Sequence, residues 1–517
     1  MEKTVDEPIT FPNPLLTSQL TQTSQFCQTH YPPLNTFELL MMKDEESSFY
    51  SKSDLFIIFY VSAYFLNESE KWENIYSSVF SLVILVLCLL VSKYRYIVFI
   101  LFLLISTFFI FEKYPRVSNH STLILFVNIY LLFSSLPKLL FNNNKLIINN
   151  NDFLVLRWSL IIVYFFTGFH KLNYDFLFSE NSCANWYHTK FLFNITNQII
   201  KPYPDLFYII SPFLVVILEI TESIGLLFRK TQLIGLYSFI LLHIYLSLGG
   251  FIDFAAVCIS LMISFIPAKS YLKYQHILSQ KIDLLFLRID RLQCYILGLI
   301  CIGVIVFFER TFNIYQTNNH RLIIFISGLL FIINMAYLCW YFIKKIYTEK
   351  IFVWETENLF YKIPIQVYSF IALLLFQGSQ NYLGLSTAGT FSMFSNLRTE
   401  GGSSNHLIMK NNPLEVFDYQ KDLVYIEKIT PPYYEIKYAT KNIKNKIIPR
   451  LVFEEYLYNL RKMNVSNVDV ILEYNKNRIL EKNILHNTNW TPSRLEFKHR
   501  FLYFREIHLS NDVKCVW

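Results

Sequence analysis

The sequence carries little charge: Lys, Arg, Asp and Glu make up 16% of its 517 residues, whereas average soluble proteins have about 25%. Hydrophobic residues make up 53%, and the mean hydropathy is +0.33. This composition argues against a soluble enzyme and indicates a polytopic membrane protein. The net charge of +7 includes no dense Lys/Arg stripe, so we expect membrane lipids as partners and no nucleic acid.

Motifs of well-known catalytic and metal sites are also missing. The chain has no GxGxxG, P-loop, GxSxG or HExxH motif. Its eight cysteines include no CxxC pair, so we expect no metal site. A disulfide involving Cys27, Cys183 or Cys515 can form on an oxidising side of the membrane, but the sequence leaves the pairing open.

Apolar runs divide the chain into three predicted regions. Residues 1–54 lack periodicity, and we expect a disordered tail there. Residues 55–378 are predicted to form an all-α polytopic membrane bundle of nine or ten segments. The apolar runs are Leu55–Leu66, Tyr76–Val91, Tyr96–Phe111, Thr122–Phe141, Phe153–Phe169, Leu206–Phe228, Leu233–Leu248, Phe251–Pro267, Cys294–Phe308, Leu322–Ile343 and Ile363–Gln377.

Residues 379–517 have a different pattern of apolar and polar residues. Apolar and polar residues alternate in LEVFDYQKDLVYIEKI, YEIKYAT, VDVILEY and RFLYFREIHL, which is typical of half-buried strands. Pro449–Lys462 has the spacing of an amphipathic helix. We therefore predict a small α+β domain at the membrane surface. Asn464-Val-Ser and Asn489-Trp-Thr are glycosylation sequons, which matter only if this domain is lumenal.

The strongest candidate for chemistry is the stretch His170-Lys171-Leu172-Asn173, followed by Asp175, at the end of an apolar run. Partial desolvation there would favour an uncharged Lys171 amine that can accept a proton. His170 and Asp175 would then assist catalysis, and Asn173 would help to bind substrate. Two alternatives stay open: Lys171 can extend its ammonium group to the lipid head groups, or it can pair with Asp175 on a continuing helix.

Further polar residues lie within apolar runs. Glu219 and Glu222 are spaced to share one face of a helix, where they can bind a substrate or cation, relay protons, pair with Arg157 or Lys171, or join helices. His243 is a candidate substrate-binding residue, although a structural hydrogen bond between helices explains it equally well. The Gly/Ser/Thr-rich stretch Leu385–His406 includes Arg398, whose guanidinium suits a carboxylate or another anion.

These features, taken in order, resemble the HTTM-domain family, whose characterised type is the vitamin K-dependent gamma-carboxylase. The family's Y-F-x-A-G-x-x-K-L-D-x-D-W pattern is similar to residues 164–176, and its lysine base falls on Lys171. The family's histidine-bearing helix resembles the helix with His243, and its Asn-His pair resembles Asn119-His120. The stretch after its last span resembles Phe391–Arg398.

The resemblance implies an enzyme with carboxylase-like lyase or oxidoreductase chemistry in the endoplasmic reticulum membrane of a eukaryotic cell. Its cofactor would be a reduced quinone similar to vitamin K hydroquinone, and Lys171 would be the base. Three departures put gamma-carboxylation of glutamate in doubt: Lys138 stands near the place of the family's second catalytic histidine, Asn173 replaces an acidic residue, and residues 379–517 are too few for the family's propeptide-binding region. A protein substrate stays open as a partner. The alternative is a non-catalytic transporter or lipid-binding scaffold.

Overall fold

The computed structural model describes most of the chain from residue 52 onwards. The described residues are 52–71, 75–90, 94–141, 148–196, 205–228, 230–249, 251–266, 363–402, 404–410, 414–430, 437–438, 441–442 and 446–505, with single positions 333, 337, 340, 359 and 515. Residues 1–51 of the predicted tail and nearly all of the segments predicted at 294–308 and 322–343 lie outside them.

The described part is mostly helical, and each apolar run within it forms a helix. The helices are α1 Lys52–Lys71, α2 Ile75–Leu90, α3 Arg95–Lys113, α4 Asn119–Phe141, α5 Asn150–His170, α6 Tyr174–Phe178, α7 Cys183–Thr196, α8 Asp205–Leu227, α9 Gln232–Leu248, α10 Ile252–Met262, α11 Ile365–Ser379, α12 Arg450–Lys462 and α13 Phe497–Phe501.

Helix α5 is the central helix of the bundle and packs against α4, α8, α10 and α11. It begins with a capping box: the Asn149 side chain accepts the Asp152 backbone N–H, and the Asp152 carboxylate accepts the Asn149 N–H. The Asp152 carboxylate also pairs with Lys138 at 2.8 Å. The opposite end of α5 delivers His170 and Lys171 to the candidate site.

The predicted count of nine or ten membrane segments is not supported. Four helices in the described part are long and apolar enough to cross a membrane, namely α3, α5 and most of α4 and α8. Helices α9 and α10 are apolar but shorter, and α11 has only 15 residues, whereas a span needs roughly 20. An apolar run alone does not distinguish a crossing helix from one buried within protein. Four apolar helices are compatible with a membrane protein.

The stretch after α5 forms two further helices, α6 and α7. The chain leaves the helix at Lys171, and α6 begins at Tyr174 because the Asn173 side chain caps it by accepting the Phe176 N–H at 2.8 Å. Helix α7 follows from Cys183. Both helices pack against α8, so this segment forms one wall of the site.

Helices α8 and α9 approach closely through two glycines. A Cβ atom on Gly235 would lie 2.9 Å from the Leu226 backbone nitrogen, and one on Gly225 would lie 3.0 Å from the Gly235 Cα. Small residues of this kind allow helix backbones to come together in membrane proteins. The contact fixes the spacing between the helices that carry Glu219 and His243.

The C-terminal unit, residues 414–505, contains a four-stranded antiparallel sheet in the order β4-β1-β5-β6. Its strands are β1 Leu423–Thr430, β4 Lys446–Pro449, β5 Asp469–Tyr474 and β6 Asn477–Glu481, and a separate hairpin joins β2 Lys437–Tyr438 to β3 Lys441–Asn442. The apolar face of α12 covers the sheet with Phe453, Leu457 and Leu460.

Sequence patterns located part of this unit. The predicted strands at 414–429 and 468–474 overlap β1 and β5, and the predicted helix at 449–462 matches α12. The predicted strand at 500–509 is wrong over its described part, since Phe497–Phe501 is helical. The Tyr503 carbonyl instead accepts the N–H groups of Thr387 and Ala388. Whether residues 379–517 fold as an independent domain stays a prediction.

Replacing Gly235 with Ala is expected to destabilise the bundle. Alanine normally favours a helix over glycine by about 0.5–1 kcal/mol, but overpacking of a tight contact costs about 1–3 kcal/mol. Because the added Cβ meets backbone atoms that cannot rotate away, the cost of overpacking should exceed the gain in helix propensity. Denaturant unfolding in detergent measures it, with exposed Ile234→Ala as control. Equal stability of Gly235→Ala and the wild type would contradict the close packing.

Candidate functional site

A cavity lies between α5, α7, α8 and α9, and we call it the Lys171 cavity. Its empty space, with the open solvent at its mouth included, is about 640 Å³. The walls are mainly apolar and aromatic, with Tyr164, Leu242, Leu246, Phe251 and Phe254 among them. Such walls favour an apolar occupant.

Lys171 and Glu219 supply the charged groups that line this cavity. The Lys171 Nζ lies 3.0 Å from Glu219 Oε1 and 2.9 Å from Oε2, with both side chains almost fully buried. It also lies 3.4 Å from the Thr167 carbonyl oxygen. Lys171 therefore does not extend into bulk water; it pairs with Glu219, which is one of the alternatives that the sequence left open. The opposite charges stabilise each other against the cost of desolvation.

Gly168, one helical turn before Lys171, brings the Lys171 amine within reach of the Glu219 carboxylate. A Cβ on Gly168 would lie 2.8 Å from Ile220 Cγ1 and 3.3 Å from Glu219 Cβ. Only a residue without a side chain lets α5 approach α8 this closely. The Gly168–Lys171 spacing in the sequence thus determines where the amine meets the carboxylate.

Glu222 lies next to this pair but does not join it. Its side chain is fully buried, and within the described residues neither carboxyl oxygen has a hydrogen-bond partner. An ionised carboxylate without a partner is very costly to bury, whereas the neutral acid is much cheaper. Glu222 is therefore a buried acidic residue whose burial no hydrogen bond within the described residues explains.

His243 lies behind the cavity wall. Its Nδ1 lies 2.8 Å from the Phe239 carbonyl oxygen and its Nε2 lies 2.5 Å from the Tyr164 hydroxyl. Since Nδ1 donates to the carbonyl, Nε2 is the acceptor for the Tyr164 O–H. Tyr164 lines the cavity and His243 does not, so His243 orients a wall residue.

Asp175 and Arg398 pair with each other outside the cavity. The Arg398 Nη2 lies 3.0 Å from Asp175 Oδ2, and the Asn405 amide donates to the same oxygen at 2.7 Å. Asp175 does not meet Lys171, because α5 ends at His170 and the chain turns before α6. The expected helical pairing of Lys171 with Asp175 is therefore absent.

His170 and Asn173 hold the segment that we call the cavity loop, residues 384–406. The His170 ring nitrogens lie 3.3 Å from the Phe391 carbonyl oxygen and 3.1 Å from that of Gly378. The Asn173 amide donates to the carbonyls of His170 and Ser395 at 2.8 and 2.5 Å. These two side chains bind backbone and do not line the cavity.

The cavity loop has an unusual backbone. Phe391, Phe394 and Asn396 all have positive φ, at 59°, 47° and 51°, a conformation that is strained for bulky residues. Phe394 lines the cavity and stacks with Trp186 at 6.0 Å between ring centroids. Strain of this kind persists only where the surroundings enforce it, and it clusters at binding sites.

His406 fixes the other end of the cavity loop. Its Nδ1 accepts the N–H groups of Ile408 and Met409 at 3.1 Å, so Nε2 carries the hydrogen and donates to the Phe169 carbonyl at 2.8 Å. Burial lowers the pKa of His406, and the bond to Phe169 offsets part of that effect. A neutral ring suits these bonds, because protonation would remove the Nδ1 acceptor.

His120, part of the Asn-His pair noted in the sequence, has its Nε2 3.0 Å from Asp253 Oδ2. Neither residue lines the cavity. Cys183 forms a disulfide with Cys515, one of the pairings that the sequence left open. Cys183 also borders the cavity, so the bridge ties residue 515 to its wall.

Tyr187 and Tyr245 were missed. The Tyr187 hydroxyl donates to the Tyr245 carbonyl at 2.6 Å and accepts the Gly249 N–H at 3.0 Å. Both tyrosines line the cavity. No spacing in the sequence links residues so far apart, and Tyr187 lies outside the predicted apolar runs.

Comparisons with family models, curated proteins and solved structures give no match. The argument for function therefore comes from the site. Within the described residues, no group of three or more His, Cys, Asp or Glu side chains is placed to hold a metal ion.

A double-mutant cycle should reveal the buried pair. Lys171→Met leaves the Glu219 carboxylate without its cation, which is expected to cost about 3–5 kcal/mol of unfolding free energy. Lys171→Met combined with Glu219→Met should recover most of that loss, because no unpaired charge then remains buried. Denaturant unfolding in detergent measures both.

The outer pair provides the control for this cycle. Arg398 is partly exposed, so Arg398→Ala should cost about 0–1 kcal/mol, as is typical of exposed pairs. If the double variant is as unstable as Lys171→Met plus Glu219→Met added together, the two side chains do not interact and the pairing is wrong.

Proposed function

We propose that this chain is an integral membrane enzyme that binds a lipid-soluble, quinone-like molecule in the Lys171 cavity and removes a proton from its hydroxyl group. The observation that carries the proposal is a buried lysine–glutamate pair on the wall of an otherwise largely apolar cavity. A molecule with an apolar body and one ionisable hydroxyl complements both features.

The cavity walls would bind the apolar part of the substrate. Phe251, Phe254 and Leu246 offer flat and aliphatic surfaces that suit an aromatic ring. Exposed apolar residues cover the outside of α3 and α8, such as Phe108, Leu214 and Ile217. A lipid-facing surface of this kind suits a protein whose substrate arrives through the membrane.

The Lys171–Glu219 pair accounts for the proton transfer. The substrate O–H proton can pass to the Glu219 carboxylate while the Lys171 ammonium stabilises the new oxyanion. Alternatively, Lys171 first transfers its proton to Glu219, and the free amine then takes the substrate proton. Both routes end with an ammonium, a carboxylic acid and a substrate oxyanion, so the pair acts as one base.

The resemblance to the gamma-carboxylase type supports the same reading. Lys171 occupies the position of that family's lysine base, and a reduced quinone is the cofactor that the likeness implies. On the same ground we propose the endoplasmic reticulum membrane as its location in a eukaryotic cell. Carboxylation of glutamate is not part of the proposal, because the departures at Lys138 and Asn173 remain.

Variants of the pair should lose turnover of reduced quinone. Lys171→Met and Glu219→Gln are each expected to lower it about 100-fold or more, since a positioned acid–base group typically contributes 10²–10⁴-fold. Lys171→Arg separates the two routes: it keeps a cation beside Glu219 but does not yield a free amine. Aerobic consumption of reduced quinone by membranes measures turnover.

Lys138→Met is the matched control for this experiment, because Lys138 also pairs with a buried carboxylate but at the opposite end of α5. Its turnover should equal that of the wild type once expression is normalised. Wild-type turnover in well-folded Lys171→Met and Glu219→Gln would remove the pair from the mechanism.

One observation favours a transporter instead. Glu222 is fully buried within the helices and has no hydrogen-bond partner among the described residues, as a proton- or cation-carrying site would require. That function predicts a cation- or proton-dependent flux in liposomes that Glu222→Gln abolishes. The enzyme predicts no such flux, with Glu222→Gln retaining quinone turnover. A lipid-binding scaffold predicts neither activity.

A further inference from the structure

The disulfide between Cys183 and Cys515 reports which side of the membrane its part of the chain faces. The bridge joins residues that are 332 positions apart. Disulfides form and persist in oxidising compartments and are rare in the reducing cytosol. The start of α7 and residue 515 therefore belong on the extracytoplasmic side.

Contacts place the C-terminal unit at the same end of the bundle. The turn after α3 meets it, since Arg116 Nη2 lies 2.9 Å from Glu455 Oε1 on α12. Phe111 near the end of α3 contacts Phe501. The Leu172 carbonyl, just after α5, accepts the Leu407 N–H of the segment that leads into this unit.

Arg95 and Lys230 lie at the opposite end of the bundle, far from the disulfide. Helix α3 runs from Arg95 to its contact with the C-terminal unit, so Arg95 lies at the far end. Helix α9 ends at the contact between Gly249 and Tyr187, close to Cys183, so Lys230 before α9 also lies far from the bridge. Lysine and arginine favour the cytoplasmic side of a membrane, in agreement with this placement.

Two sequons lie on the surface of the C-terminal unit. Asn464 follows α12 in a turn with φ of 56°, and Asn489 lies in the turn before Trp490. Both asparagines are exposed, as an N-linked glycan requires. Their hydroxyl residues are Ser466 and Thr491.

We propose that Asn464 and Asn489 are N-glycosylation sites on an extracytoplasmic C-terminal unit. The modification is the attachment of an oligosaccharide to the asparagine side-chain nitrogen from a lipid-linked donor in the lumen. This inference goes beyond the proposed enzyme activity and does not depend on Lys171 or Glu219.

Endoglycosidase digestion of the full chain, made in eukaryotic cells, tests the proposal. The wild type should lose mass on digestion. Asn464→Gln and Asn489→Gln should each remove one glycan, and the double variant should remove two. Ser466→Thr and Thr491→Ser keep both sequons and should keep both glycans. If either Gln variant has the same glycan mass as the wild type, the assignment of that asparagine is overturned.

Thiol labelling in sealed microsomes separates topology from glycosylation. A membrane-impermeant maleimide should add label to Lys230→Cys in intact vesicles, but to Thr488→Cys only after detergent opens them, each compared with the wild type. Residues 230 and 488 are both exposed. The reverse pattern would place the C-terminal unit in the cytosol and overturn the proposal together with its disulfide argument.

Discussion

The ion pair between Lys171 and Glu219 is the contact around which the bundle and its cavity are arranged. It joins α5 to α8 where Gly168 allows the helices to touch, at the wall of a cavity lined with aromatic side chains. Two charges are stable in such a place only if they stay close together and other groups complete the site. In the proposed function, a substrate hydroxyl in the cavity would meet a proton donor and a proton acceptor already in position.

Several polar residues around the pair hold backbone and do not contact the cavity. His170, Asn173 and His406 bind carbonyl and N–H groups of the cavity loop or of the end of α5. The strained Phe394 is thereby kept against the cavity. The disulfide from Cys183 adds a covalent tie at the same wall. The end of α5 thus leads into the ion pair and is also the attachment point for the chain that follows α11.

The sequence singled out Lys171, which lines the cavity, but left open which group it meets. Apolar runs revealed the helices, and the HKLN stretch drew attention to Lys171 because charge at the end of an apolar helix is rare. Which carboxylate meets Lys171 was not readable: Asp175 was four residues away, but the helix ends at His170, and Glu219 is brought in only by packing. Hydropathy alone does not give the number of membrane segments, since residues facing protein and residues facing lipid are equally apolar. The tyrosine contacts and the choice of Cys515 for Cys183 depend on tertiary structure alone.

The central claim is that a lipid-soluble molecule enters the Lys171 cavity and lies beside the ion pair. Photolabelling with a light-activated quinone analogue, followed by peptide mapping, tests it most directly. The claim predicts label on the peptides that contain Lys171, Glu219 and Leu246, and loss of that label when Leu246→Trp fills the cavity. Label spread along the lipid-facing surface of α3, around Phe108, and unaffected by Leu246→Trp, would contradict it.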